Sequence, residues 1–220
     1  MRPGGIGLWA GRPVRGKVGV RLALREGVPM DAKAVDDLLV GRRSVRLFRD
    51  APLDEADLRR ALEVAVWAPN HRRTEPWRFI VVRAETQRHL ADRAGELKRL
   101  AHPRPDGPEA ASVAVRAREE LVAAAALLAV VQRVAEDPAV AMEDYASCAL
   151  ATDRALLALW ARGVAGRWST GGITRDEQTL ALLGVGSGER LVFLCPLGYP
   201  AAVPTRPAPH PAESRTTWLN

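Results

Sequence analysis

From Asp31 onward the apolar positions recur with two alternating periods. Val35, Leu38 and Leu39 share one helical face behind Asp31, a helix-capping residue type, and Gly41 closes the pattern. Leu58, Ala61, Leu62 and Ala65 repeat that spacing behind Asp54 until Pro69 forbids continuation. Phe79-Ile80-Val81-Val82 is aromatic and β-branched and predicts a strand. Residues 86–100 predict a charged, exposed helix, 102–108 a Pro-rich loop and 110–120 a further helix. Residues 127–131 predict a second, buried strand, and 138–162 the longest helix, with Gly163 in its stop position. Apolar residues of that helix, among them Met142, Ala146, Ala149, Leu150, Leu156, Leu157 and Trp160, run almost all round it, as in a core or subunit-interface helix. A short strand at 164–168, a helix at 176–183 and a strand at 190–197 follow. Six prolines between Pro196 and Pro211 predict an extended tail. Strands interleaved with helices give a single layered α/β or α+β domain over residues 30–220.

Residues 1–29 break this pattern. Glycines, prolines and scattered arginines predict a flexible basic extension, because the segment lacks the apolar surface to offset its ordering entropy. It has no compact apolar core of a secretory signal. Charge changes the picture further. The whole chain is +6, but Arg2, Arg12, Arg15, Lys17, Arg21 and Arg25 against Glu26 place +5 of it before residue 30. The remainder is close to neutral, so the basic isoelectric point supports a nucleic-acid binder only through the leader. With no recognition motif in the body, nucleic acid is not an expected partner. The longest apolar run, residues 121–131, is 11 residues and too short to span a bilayer, so no membrane association is expected. Cys148 and Cys195 lie far apart in apolar runs, which predicts a reducing, cytoplasmic setting.

Several familiar signatures are absent or out of context. Gly5-Ile6-Gly7-Leu8-Trp9-Ala10 matches a dinucleotide fingerprint as a string, but only four residues precede it, too few for the strand it requires. Gly184-Val185-Gly186-Ser187-Gly188 lacks the Lys-Ser/Thr of a phosphate loop and reads as a helix-to-strand turn. The histidines at 71, 89, 102 and 210 have no metal-ligand spacing. Glu143 and Asp144 are helix neighbours, about 100° apart, and do not form a paired acid on one face.

Two segments carry chemistry. Arg42-Arg43-Ser44-Val45-Arg46 crowds three guanidiniums and a hydroxyl behind a helix end, which suits either phosphate oxygens or a solvated basic turn. Residues 67–77 gather an amide (Asn70), an imidazole (His71), Arg72, Arg73 and two indoles in a loop feeding a strand. Such a loop clasps a planar polar ligand, or packs as a connector anchored by Pro76-Trp77.

Taken with Trp168-Ser169-Thr170-Gly171, these segments resemble the compact members of the nitroreductase family of flavoproteins. The family has an Arg-Arg-Ser-x-Arg segment after its first helix, here Arg42 to Arg46. It has an Ala-Pro loop ending in Gln-Pro-Trp, here Ala68 to Trp77, and a Trp-x-Ser/Thr-Gly stretch, here Trp168 to Gly171. Leu197-Gly198-Tyr199-Pro200 resembles the close of its last core strand. The likeness runs from about Asp31 to Pro200 in the family's order.

The resemblance implies a mixed central sheet flanked by helices and an intertwined homodimer with FMN at the subunit interface. It implies that Arg42, Arg43, Ser44 and Arg46 hold the FMN phosphate and ribityl chain. Asn70 and His71, with Arg73, would reach the flavin of the other subunit, and Trp168, Ser169, Thr170 and Gly171 would line the same cofactor. No side chain is expected to be catalytic, because the flavin carries the chemistry. The implied activity is FMN-dependent NAD(P)H oxidoreduction: hydride passes from NADH or NADPH to flavin N5, then to a nitroaromatic, quinone or similar conjugated acceptor in a ping-pong cycle. A flavin-binding protein that stores, senses or modifies flavin without nicotinamide turnover is the alternative. Three departures stand out: Glu75 in place of Gln before Pro-Trp, Trp67 where some relatives are basic, and the basic leader.

Overall fold

The computed structural model describes residues 31–205 and 207–219; the basic leader and the Gly5 to Ala10 string lie outside them. From Ala126 the run at 121–131 is continuously apolar because the strand there is buried on both sides. In that strand, β2 (Ala126–Arg133), Ala126, Leu128 and Val130 face one hydrophobic layer, and Leu127, Ala129 and Val131 face the other. The first layer is completed by α2 (Glu55–Ala65) and the 23-residue α5 (Pro138–Trp160). The second is completed by α3 (Ala84–Leu100) and α4 (Pro108–Val122), with α6 (Glu177–Leu182) at its margin.

β2 lies between β1 (Trp77–Val82) and β4 (Glu189–Gly198), and the two-residue β3 (Ala165–Gly166) pairs with the far side of β4. All three pairings are antiparallel, with a bulge where Val130 faces Phe193 and Val131 faces Leu191. A single parallel bridge, Ser44 to Gly166, extends the β3 edge. The sheet-and-helix architecture agrees with the expected class.

The helix starts follow their caps. Asp31 accepts from the Ala34 N–H ahead of α1 (Ala32–Gly41), and Asp54 from the Ala56 N–H ahead of α2. Asp137 and Asp176 do the same for α5 and α6. Gly163 adopts φ 75° after α5, the left-handed stop its sequence position predicts.

Three expectations need correction. The helix at 86–100 is not simply exposed: Leu90 and Ala91 are fully buried against α4. Its buried face consists of Gln87, Leu90, Ala91, Ala94 and Gly95, one large apolar residue among polar and small ones that mark no strong apolar stripe. A Cβ on Gly95 would lie 2.9 Å from the Ala114 carbonyl oxygen, so the two helix backbones approach closely there. The strand expected at 164–168 contracts to two residues, and the tail contains one 3-10 turn, Ala212–Arg215. Glu143 and Asp144, although on different faces, both engage the same loop, as described below.

Asp176 also accepts from Arg93, and these hydrogen bonds hold its carboxyl at about 2, below the ordinary 3.8. The folded chain therefore binds this proton more weakly than the unfolded chain. The stabilisation is complete above the ordinary value and disappears as pH falls through about 2. Between pH 6 and pH 2.5, the urea midpoint of Asp176→Asn should fall less than that of the parent.

Both cysteines are buried free thiols, and burial pushes each up to about 12. No helix of the described residues is long and apolar enough to cross a membrane.

Candidate functional site

The chain leaves α1 at Arg42, whose backbone is extended at ψ 136° while its N–H still reaches the Leu38 carbonyl at 3.2 Å. Fully buried Val45 anchors the next turn, and Ser44 pairs with Gly166. That bridge brings the Arg42 to Arg46 segment beside the stretch beginning at Arg167. Gly166 permits the approach: a Cβ there would meet Leu197 Cδ2 at 2.6 Å, the Pro196 oxygen at 2.9 Å and Leu156 Cδ2 at 3.0 Å.

Around this junction the arginines take different partners. Arg42 Nε lies 3.7 Å from Asp153 on α5. Arg43 turns back and donates to the Val40 and Arg42 carbonyls at 2.6 and 2.9 Å, complementing the negative end of α1. Arg46 NH1 donates to both oxygens of Glu120 on α4, at 2.9 and 3.0 Å. Arg167 donates to Glu120 Oε2 at 2.5 Å and to the Ser169 hydroxyl. Its guanidinium holds its proton less tightly than usual, chiefly because of burial, with Glu120 opposing the effect. The Arg167 Nε–H is buried without a hydrogen-bond partner among the described residues.

Beyond Arg167, Ser169 exchanges two backbone hydrogen bonds of 3.0 Å with Leu194. Trp168 is partly exposed and packs its ring 4.7 Å from that of Phe193. Thr170 and Gly171 are exposed, and Gly171 takes φ 116°, where a side chain would be strained.

The second segment is a rigid loop. Asn70 is its hub: Oδ1 accepts from the Glu75 N–H at 2.7 Å, and Nδ2 donates to the Thr74 and Ser147 hydroxyls at 3.0 and 3.2 Å. Thr74 donates to buried Asp144 at 2.5 Å, and Arg133 donates to the Thr74 and Glu75 carbonyls. Within this frame Arg72, Arg73 and Glu75 adopt φ of 65°, 52° and 45°. Three non-glycine residues in left-handed conformations are costly, and the surrounding hydrogen bonds offset that strain. His71 Nδ1 sits 3.0 Å from Glu143, which leaves Nε2 as the ring nitrogen available for a ligand.

The structure thus joins Arg42, Arg43, Ser44 and Arg46 with Trp168 to Gly171, and gathers Asn70, His71 and Arg73 in a separate loop. The loop is anchored on α5 at Glu143 to Ser147, whereas Arg42 meets α5 at Asp153. Six to ten helical residues correspond to roughly 9–15 Å along the axis. Sequence reading passed over Arg167 and Glu120, and assigned no role to Thr74 and Asp144. Arg167 directly precedes the Trp-Ser-Thr-Gly stretch; Glu120 carries no local signal, since its role arises 74 residues from Arg46.

The chain thus forms a layered sheet with arginines and hydroxyls at one edge and a braced polar loop elsewhere. The comparisons are more specific. Residues 39–199 match the nitroreductase family profile. A protein of Bacillus subtilis (strain 168) named as an NAD(P)H nitroreductase, YfhC, is 30% identical over 184 residues, 83% of this chain and 93% of that protein. A nitroreductase-like family protein from Bacillus cereus superposes with a TM-score of 0.74 at 24% identity, covering 87% of this chain and 99% of its own. An NADPH:FMN oxidoreductase from Vibrio harveyi, solved with NAD+, shares the fold at a TM-score of 0.68 and 14% identity, covering 84% of this chain and 76% of its own. The chain belongs to the nitroreductase family.

Proposed function

We propose that the protein is an FMN-dependent NAD(P)H oxidoreductase that works as a homodimer and reduces a nitroaromatic, quinone or similar conjugated acceptor. The observation that carries this reading is the Ser44–Gly166 bridge, which unites two of the family's three segments in one place. The donor set fits the cofactor. Guanidiniums and the Ser44 and Ser169 hydroxyls suit a phosphate that is nearly dianionic at neutral pH, and a buried Arg167 N–H remains without an acceptor.

Arg42, Arg43, Ser44 and Arg46 would bind the phosphate and ribityl chain, with Trp168, Ser169, Thr170 and Gly171 lining the same cofactor. Asn70, His71 and Arg73 would complete the site held by the second copy. Glu143 orients His71, and the Asn70 hub keeps the loop in its strained shape without ligand. The chemistry a bound FMN supplies is hydride acceptance from NADH or NADPH followed by donation to the acceptor, in a ping-pong cycle.

Exposed apolar residues support the dimer. Leu39 and Val40 of α1 project from their own core, as do Leu150 and Met142 of α5, the last 76% exposed, and Trp67, 80% exposed. The two buried thiols support a reducing, cytoplasmic setting. The reading requires a second copy and a small acceptor, and neither nucleic acid nor a membrane.

The purified protein should be yellow or become so with FMN. Anaerobic NADPH or NADH should bleach it, and an acceptor should restore the colour. A preparation that ignores FMN would sink the reading; bound flavin that stays oxidised in excess NADH and NADPH would point to storage. Arg43→Ala should weaken FMN binding about 10- to 100-fold, as loss of a charged hydrogen bond does. Its melting temperature should fall by less than about 3 °C, because the contacts it loses are partly exposed. Equal loss of binding and stability would make Arg43 a structural cap.

A further inference from the structure

We propose that Arg167 and Glu120 are positioning residues of the cofactor site. In this arrangement, Arg167 supplies a buried positive charge behind Arg46, and Glu120 holds both guanidiniums while damping their combined field. The proposal rests on the FMN reading above and concerns two residues outside the family segments on which that reading was built.

Its basis is charge, burial and connectivity. One carboxylate faces two guanidiniums: Glu120 accepts from Arg46 through both oxygens and from Arg167 through Oε2 at 2.5 Å. The group therefore carries one uncompensated positive charge. The Arg167 side chain is only 14% exposed and that of Glu120 27%, so water screens the charge weakly. Two connections link the group to the site. Arg167 follows Gly166, the bridge partner of Ser44, and its guanidinium donates to the Ser169 hydroxyl. Burial makes the Arg167 charge less comfortable than an ordinary guanidinium, and its Nε–H has no acceptor among the described residues. A group stabilised only for packing would not retain both features, whereas an anion bound at Ser44 and Arg46 lowers the energy of the surplus charge.

The two residues consequently act in opposite directions on an anionic ligand. The full-length chain is titrated with FMN, and with riboflavin as a phosphate-free control, by quenching of flavin fluorescence. Arg167→Met should raise the FMN dissociation constant about tenfold, and Arg46→Met, at a more exposed position, should act in the same sense. Arg167→Lys should recover much of the loss. Glu120→Gln should tighten FMN binding about threefold or more, and Glu120→Gln/Arg167→Met should return towards the parent value.

Glu120→Gln leaves Arg167 without its carboxylate and is the variant most prone to misfold. The gain in melting temperature on adding FMN gives a second readout: larger than the parent's in Glu120→Gln, smaller in Arg167→Met. Riboflavin indifferent to all five variants would assign the effect to the phosphate; riboflavin following FMN would assign it to the ring. Either result supports the proposal. Arg167→Met and Glu120→Gln weakening FMN binding alike, or leaving it unchanged, would overturn it and make the triad a structural brace. A parent protein that binds no FMN would instead overturn the functional reading together with this one.

Discussion

Gly166→Val is expected to destabilise the protein by about 3 kcal/mol, in the upper range for overpacking, and to lower its melting temperature by roughly 6–12 °C. The first added carbon would lie 2.9 Å from the Pro196 carbonyl oxygen, a backbone atom of β4 that cannot retreat without opening the β3–β4 pair. The Leu197 and Leu156 side chains close off the other directions. Because Gly166 also bridges Ser44, the variant should lose flavin binding at temperatures where it is still folded. Gly172→Ala, where nothing lies within 4 Å of the added carbon, is the control and should leave the melting temperature nearly unchanged. Equal melting temperatures for both variants would show that the junction is looser than its geometry implies.

Asn70→Ala should cost about 2–3 kcal/mol, the range expected when a half-buried amide with several partners is removed. The effect should concentrate in one loop. Without Oδ1 the Glu75 N–H loses its acceptor, and without Nδ2 the Thr74 and Ser147 hydroxyls lose a donor. The left-handed backbone at Arg72, Arg73 and Glu75 then loses part of what offsets it, while the Thr74–Asp144 and Arg133 hydrogen bonds remain. Limited proteolysis at the Arg72-Arg73 pair should accelerate well beyond the change in global stability. Asn70→Asp, which keeps the acceptor for Glu75, should recover about half of the loss. A loop as resistant in Asn70→Ala as in the parent would mean that the hub is not what holds it.

The strands and helices were legible where the apolar signal was strong. The apolar run marked a buried strand at 127–131, which the structure extends to Ala126–Arg133, and Asp31 and Asp54 cap the helices expected behind them. The packed face of α3 was not legible, because Leu90 is its one fully buried large apolar side chain, while Ala91, Ala94 and Gly95 contribute close approach rather than hydrophobic bulk. The candidate site was legible as three segments but not as a geometry. Arginine and glutamate do not advertise a left-handed backbone, so the strain at residues 72, 73 and 75 has no sequence signature. The sharing of Glu120 by Arg46 and Arg167 spans separations of 74 and 47 residues, and only the fold brings them together.

Asn70 illustrates the same limit in another form. Resemblance casts it as a cofactor contact, whereas the structure shows both ends of its amide engaged within the loop. The two roles are compatible only if the amide shapes the platform on which its neighbours meet the ligand.

The burial of Cys148 and Cys195 in the layer between α2, α5 and the sheet has a practical consequence. Each sulfhydryl is both sealed from reagent and disinclined to ionise at neutral pH. Alkylation under native conditions therefore records how often that layer breathes apart, and the chain carries its own chemical clock for the opening of its interior.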